Sequence, residues 1–125
     1  MIVGIGSDIV SIERIAGVLE RHGERFVNRV LTPPERARFE RTKLKASHLA
    51  KRWAAKEAFA KAIGTGIHAP FTWQSITVTR DRMGAPGIEP GAGMAQYLAS
   101  RGVKRSFVTL TDDAGIAVAF VVLEG

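Results

Sequence analysis

The chain has 125 residues, 46% of them hydrophobic and 24% charged, with no cysteine. This excludes general disorder, a disulfide scaffold and a cysteine-ligated metal. Eighteen Lys and Arg against twelve Asp and Glu give a net charge of +6, which points to a polyanionic partner: nucleic acid, a phosphorylated cofactor, an anionic membrane or an acidic protein. The longest apolar run, Ile116–Leu123, is too short to cross a bilayer, and Met1-Ile2-Val3-Gly4 carries no basic leader, so one soluble cytoplasmic domain over residues 1–125 is expected.

Ile2–Val10 reads as a strand. Its alternation places Gly4, Gly6 and Asp8 on one face, which predicts room for a close approach to the Asp8 carboxylate. Ser11 is placed to cap a helix whose core positions are Ile12, Ile15, Ala16, Leu19 and Phe26. Arg14, Val18, Arg21 and Arg25 form a second stripe, with Gly23 placed to interrupt it before Arg25. Thr32-Pro33-Pro34-Glu35 has capping-box spacing and opens a helix to about Thr42, followed by a polar stretch, Lys43–Ser47.

Ser47–Ile63 is the strongest helix signal, stopped by Gly64. One face carries Ala50, Trp53, Ala54, Glu57 and Lys61, so Glu57 lies in line with apolar neighbours and needs a cation, a donor or a metal. The plain reading is a Glu57–Lys61 ion pair. Gly64-Thr65-Gly66 after Lys61 reads either as a simple helix stop or as a loop whose glycine amides hold a phosphate. A strand at Ser75–Thr79, a turn at Gly84–Gly87, a helix at Pro90–Arg101, and strands at Ser106–Leu110 and Ile116–Leu123 around a Thr111–Gly115 loop complete the chain. The order β-α-α-α-β-α-β-β predicts an α+β fold with helices packed on a largely antiparallel sheet. The last strand, apolar almost throughout, is expected to be covered on both faces, the second by a neighbouring subunit.

Asp8 and Glu57 are hard oxygen donors of the kind Mg²⁺ takes, whereas His22, His48 and His68 show no zinc-ligand spacing. Half of the basic residues fall between Arg36 and Lys61. They suit a nucleic-acid surface, a solvated face or a site for an acidic protein.

Gly4-Ile5-Gly6-Ser7-Asp8-Ile9-Val10 continuing to Ile15, Arg29-Val30-Leu31-Thr32-Pro33-Pro34-Glu35, Lys51-Arg52-Trp53-Ala54-Ala55-Lys56-Glu57 continuing to Ile67, Gly84-Ala85-Pro86 and Val108-Thr109-Leu110-Thr111-Asp112 resemble, in order, the signatures of the holo-acyl-carrier-protein synthases. The resemblance implies a 4′-phosphopantetheinyl transferase fold. The implied reaction moves 4′-phosphopantetheine from coenzyme A to a serine of apo-acyl carrier protein. It implies Asp8 and Glu57 as Mg²⁺ ligands, Lys61 as a catalytic contact to the phosphates, and Arg52, Gly64, Thr65, Gly66 and Pro86 at the coenzyme A site. Arg14, Val18, Arg21 and Arg25 are the implied carrier-protein surface, in a homotrimer with active sites between subunits. Phe107 departs from the family, where many members have His. Neither nucleic acid nor a membrane is an expected partner. The competing classes are a basic nucleic-acid module and a small oligomeric scaffold without chemistry.

Overall fold

The computed structural model describes residues 1–125. The elements are β1 (Ile2–Ser11), α1 (Ile12–Val30), α2 (Pro33–Arg41), α3 (Lys45–Ala62), β2 (Ile76–Arg80), β3 (Pro86–Pro90), α4 (Ala92–Ser100), β4 (Arg105–Asp113) and β5 (Ile116–Glu124). β1, β5 and β4 form an antiparallel sheet in that spatial order, and β2 pairs antiparallel with β3. The expected α+β class holds.

α3 is the centre of the core. Its Ala50, Ala54, Ala55 and Ala58 are fully buried, as are Ala117, Ala119, Val121 and Leu123 on the inner face of β5. Small residues let the helix axis lie close to the sheet, where larger side chains would hold it off. Gly4 and Gly6 have the same cause. A methyl on Gly4 would run into the Ala62 carbonyl, and one on Gly6 into the Ala58 carbonyl, with the Ala62 nitrogen only 2.7 Å away. The glycines therefore admit the backbone of α3, and the expected open approach to Asp8 along that face is corrected: a helix fills it.

Local signals set most boundaries. The Ser11 hydroxyl accepts from the Arg14 amide at 3.2 Å and caps α1. Gly23, at φ 50°, breaks α1 as its position predicted, leaving Arg25 beyond the kink. α3 starts at Lys45 rather than Ser47. The expected polar stretch is shortened because Lys45 folds its ammonium onto the carbonyls of Phe39, Glu40 and Thr42 at 2.9, 3.2 and 3.0 Å. The second strand runs Ile76–Arg80 and the fourth helix Ala92–Ser100. The turn expected at Gly84–Gly87 gives way at Pro86 to β3, whose prolines bracket the strand opposite Ile76 and Arg80. The expected five-residue hairpin loop contracts to Ala114-Gly115, at φ 51° and 80°, as a two-residue hairpin turn requires.

Double coverage of β5 is met on one face only within the chain. On the other, Ile5, Val122 and Phe107 fall in one row across the sheet, beside a row of Ser7, Phe120 and Thr109. Ile5, Ile9, Phe107 and Phe120 are exposed there.

One buried ion pair ties the helices together. The Lys56 ammonium donates to Glu35 Oε1 at 2.7 Å, to the Val30 carbonyl at 2.6 Å and to the Trp73 carbonyl at 2.6 Å. Glu35 Oε1 also accepts the Thr32 amide at 2.7 Å, and Oε2 accepts the Val78 amide at 2.6 Å. Both side chains are buried, and all three lysine protons have acceptors. Burial pulls Lys56 below the ordinary lysine value while the Glu35 carboxylate pulls it back. Lys56→Met would strand a buried carboxylate. It is expected to lower stability by roughly 3–5 kcal/mol in urea melts, and a loss under about 1 kcal/mol would refute that role.

Candidate active site

Asp8 stands near the end of β1, two residues beyond Gly6 on the inward side of the strand. Glu57 precedes Ala58, whose carbonyl faces Gly6. The close glycine-on-helix packing thus brings the two carboxylates together from segments far apart in sequence. Their mutual repulsion is felt: the Glu57 carboxyl is pushed above the ordinary glutamate value, by burial first and Asp8 second, with Lys61 and Arg14 opposing. Arg14, on the first turn of α1, therefore faces the same site.

Lys61 does not settle the site as the plain reading expected. Its ammonium donates to Asp8 Oδ1 at 3.2 Å and to the Ser7 carbonyl at 3.0 Å, so its ion pair is with Asp8 rather than Glu57. The Asp8 side chain is 15% exposed and that of Lys61 is 51% exposed, so the lysine caps the site from the solvent side. No cluster of three or more His, Asp or Glu side chains forms in the chain. The site thus offers two repelling carboxylate donors. That set fits Mg²⁺, which commonly takes one or two carboxylates and fills its other positions with water and phosphate oxygens.

The other expected residues divide. The amide of Gly64 donates to the Lys61 carbonyl at 3.1 Å, and those of Thr65 and Gly66 to the Ala60 carbonyl at 3.2 and 3.1 Å. These donors close the helix, with Gly64 and Gly66 at φ 84° and 60°. The loop therefore forms the helix stop of its plainer reading. Pro86 opens β3 opposite Arg80, in the two-stranded sheet. Arg52 is fully buried in α3. Arg14 and Arg21 border a hollow on α1 that also holds Glu13 and Glu20. Arg25 lies beyond the kink in a separate hollow with His22, Phe26 and Arg29. Val18 is half-buried between the two arginines of the first segment. Phe107 sits on the exposed sheet face, opposite Val122.

The stretch Arg36–Lys61 is a solvated basic face only in part, at Arg38, Arg41 and Lys43. Arg52 and Lys56 are buried, and Lys51 pairs with Asp112 at 3.1 Å. Arg36 donates to the Leu31 carbonyl at 2.9 Å, and Lys45 and Lys61 are engaged as described. Sequence reading missed that Arg38, Arg41, His48 and Arg80 gather around one pocket, because α2, α3 and β2 meet only in the fold.

The profile of the 4′-phosphopantetheinyl transferase superfamily matches residues 4–121. The holo-[acyl-carrier-protein] synthase of Dechloromonas aromatica is 46% identical over 124 residues, 99% of this chain and 98% of that protein. The crystal structure of the Neisseria meningitidis holo-[acyl-carrier-protein] synthase superposes with a TM-score of 0.96 at 40% identity, covering all of both chains. That of the Helicobacter pylori synthase in complex with coenzyme A superposes with a TM-score of 0.86 at 31% identity, covering 96% of this chain and 99% of that one.

A raised Glu57 binds protons more tightly folded than unfolded, so it lowers stability as pH climbs from the ordinary glutamate value of about 4.3 to the raised one. Glu57→Gln is therefore expected to melt above the parent at pH 7 in metal-free buffer, with the difference gone near about pH 4. Thermal melts across that range test this, and identical melting at pH 7 would refute it.

Proposed function

The chain belongs to the 4′-phosphopantetheinyl transferase superfamily, and from that premise we propose that it is a holo-acyl-carrier-protein synthase working as one domain over residues 1–125. It transfers 4′-phosphopantetheine from coenzyme A to a serine of apo-acyl carrier protein. The serine oxygen forms a bond to the pantetheine-bearing phosphorus of the pyrophosphate, and its proton passes to Asp8, Glu57 or a water at the site. The bond from that phosphorus to the bridging oxygen breaks, and adenosine 3′,5′-bisphosphate leaves with the electron pair. The carrying observation is the juxtaposed pair Asp8 and Glu57, with Lys61 at its open side.

Asp8 and Glu57 hold Mg²⁺ in this reading. When bound, the ion neutralises charge on the pyrophosphate. The remaining work is positioning and electrostatics, which suits phosphoryl transfer. Lys61, already aimed at Asp8 and half exposed, swings from the carboxylate to a phosphate oxygen. Gly64, Thr65 and Gly66 contribute shape to the coenzyme A site, since their amides are occupied, and Pro86 forms a further wall. Arg52 adds positive potential from beneath the surface.

Arg14, Val18, Arg21 and Arg25 form the surface for the acidic carrier protein. Arg14 joins the two functions, since its charge also acts on Glu57. The exposed apolar sheet face around Ile5, Phe107 and Phe120 supports a homotrimer whose subunits cover one another there, with sites between them. No helix is long and apolar enough to cross a membrane. We place the enzyme in the cytoplasm, with neither nucleic acid nor a membrane as partner.

Mass spectrometry of apo-acyl carrier protein incubated with the enzyme, coenzyme A and Mg²⁺ tests the reading. A phosphopantetheine-sized gain is expected, abolished by chelator and reduced at least about a hundredfold in Glu57→Ala. Chelator-resistant transfer would remove the metal role, and no gain with any carrier would remove the reading. Arg14→Glu is expected to raise the carrier-protein KM about tenfold or more while the coenzyme A KM moves far less. Equal changes would remove Arg14 from the docking surface.

A further inference from the structure

A second polar site lies where α2, the start of α3 and β2 meet. A pocket of about 340 Å³ is lined by Arg38, Arg41, Thr42, His48 and Arg80, with no carboxylate among them. Arg38, Arg41 and Arg80 are exposed, and His48 is buried beside them with no hydrogen-bond partner for its Nε2. Arg52 belongs to the same charged group and is fully buried. Its Nε, Nη1 and Nη2 have no hydrogen-bond partner in the chain. The carboxylate whose charge reaches it, Glu35, already serves Lys56 and the amides of Thr32 and Val78.

Buried guanidinium groups ordinarily find acceptors, since desolvation without them is costly. Here Arg38 and Arg80 act on one that has none, and Arg41 lines the pocket beside them. The positive potential registers on both buried bases. His48 is pushed down to about 3, by burial first and then by Arg52, Arg80, Lys51 and Arg38. Arg52 is pushed down to about 10, by burial first and then by Arg80, with Arg38 adding and Glu35 opposing. Such a concentration of like charge destabilises the fold unless a compensating anion is available.

We infer that this pocket binds an oxyanion of the phosphate-monoester class, held by the Arg38, Arg41 and Arg80 forks and reached by His48 Nε2, with Arg52 supplying charge from below. Planar forks match tetrahedral oxyanions through paired hydrogen bonds. The volume exceeds that of one phosphate, leaving space for the group that bears it. The inference stands on this pocket and does not need Asp8 or Glu57. The anion has two possible sources, free phosphate or a terminal phosphate of the proposed coenzyme A substrate.

The test uses the full chain. Calorimetric titration with inorganic phosphate is expected to show saturable binding, with a perturbed His48 imidazole signal by NMR. Arg38→Gln/Arg80→Gln, both at exposed positions, is expected to weaken phosphate binding about tenfold or more. Arg82→Gln/Lys104→Gln removes equal charge elsewhere and is expected to leave it within about twofold. Absence of saturable binding, or equal weakening by the two double variants, would overturn the site. Glu57→Ala should retain phosphate binding, which separates failure of this site from failure of the proposed transferase.

Titrations of the Arg38→Gln/Arg80→Gln variant with coenzyme A and dephospho-coenzyme A identify the source. Selective loss of coenzyme A affinity assigns the terminal phosphate. Loss of inorganic phosphate binding with both cofactors unaffected assigns a free phosphate. Either pattern supports the site.

Discussion

The buried contact between Glu35 and Lys56 holds the helical half of the molecule in place. Its hydrogen bonds reach the end of α1 at Val30, the cap of α2 at Thr32, the segment carrying Trp73 and the middle of β2 at Val78. Desolvating two charges is tolerable only because each has a full set of partners. A hydrophobic pair could fill the same volume, but it could not bond four separate pieces of backbone at one point. The next residue along the helix is Glu57, so the contact that orders the fold also fixes the rotation of α3 that presents the site.

The opposite side of α3 is set by absence of bulk. Gly4 and Gly6 let strand and helix backbones meet, and alanines extend that contact to β5. The close approach leaves Asp8 and Glu57 near enough to repel. The molecule therefore spends part of its folding stability on a strained pair of carboxylates, a pattern that belongs to binding and chemistry more than to architecture.

Much of this was legible in the sequence, because the signals were local. Ser11 as a cap, the Thr32–Glu35 spacing, Gly23 as a break and Gly64 as a stop depend on a few neighbouring residues, and all appear in the structure. The resemblance to a known family supplied the pairing of Asp8 with Glu57, which spacing could not. The failures share a cause. Glu35 read as a cap also receives Lys56, and Lys61 read as a partner of Glu57 turns to Asp8. Helical spacing identifies which residues can pair along one helix, yet a partner from another element lies outside its reach. Sequence reasoning gives no strand at β3, because Pro86 and Gly87 fall in the expected turn and Pro90 opens the expected helix. Their meaning changes once β2 supplies the hydrogen bonds of an isolated two-stranded edge.

The hairpin between β4 and β5 has a consequence for stability. Ala114 occupies the left-handed region, where Asn, Asp and Gly are more at ease, and Gly115 follows it. The Gly115 carbonyl accepts the Ile12 amide at 2.9 Å, so the turn also abuts the first residue of α1. Replacing an awkward residue at such a turn relieves local backbone strain without altering any charged side chain. Ala114→Gly thus offers added stability at a position separate from the chemistry. The turn and the carboxylate pair can therefore be altered independently, one for stability and the other for binding.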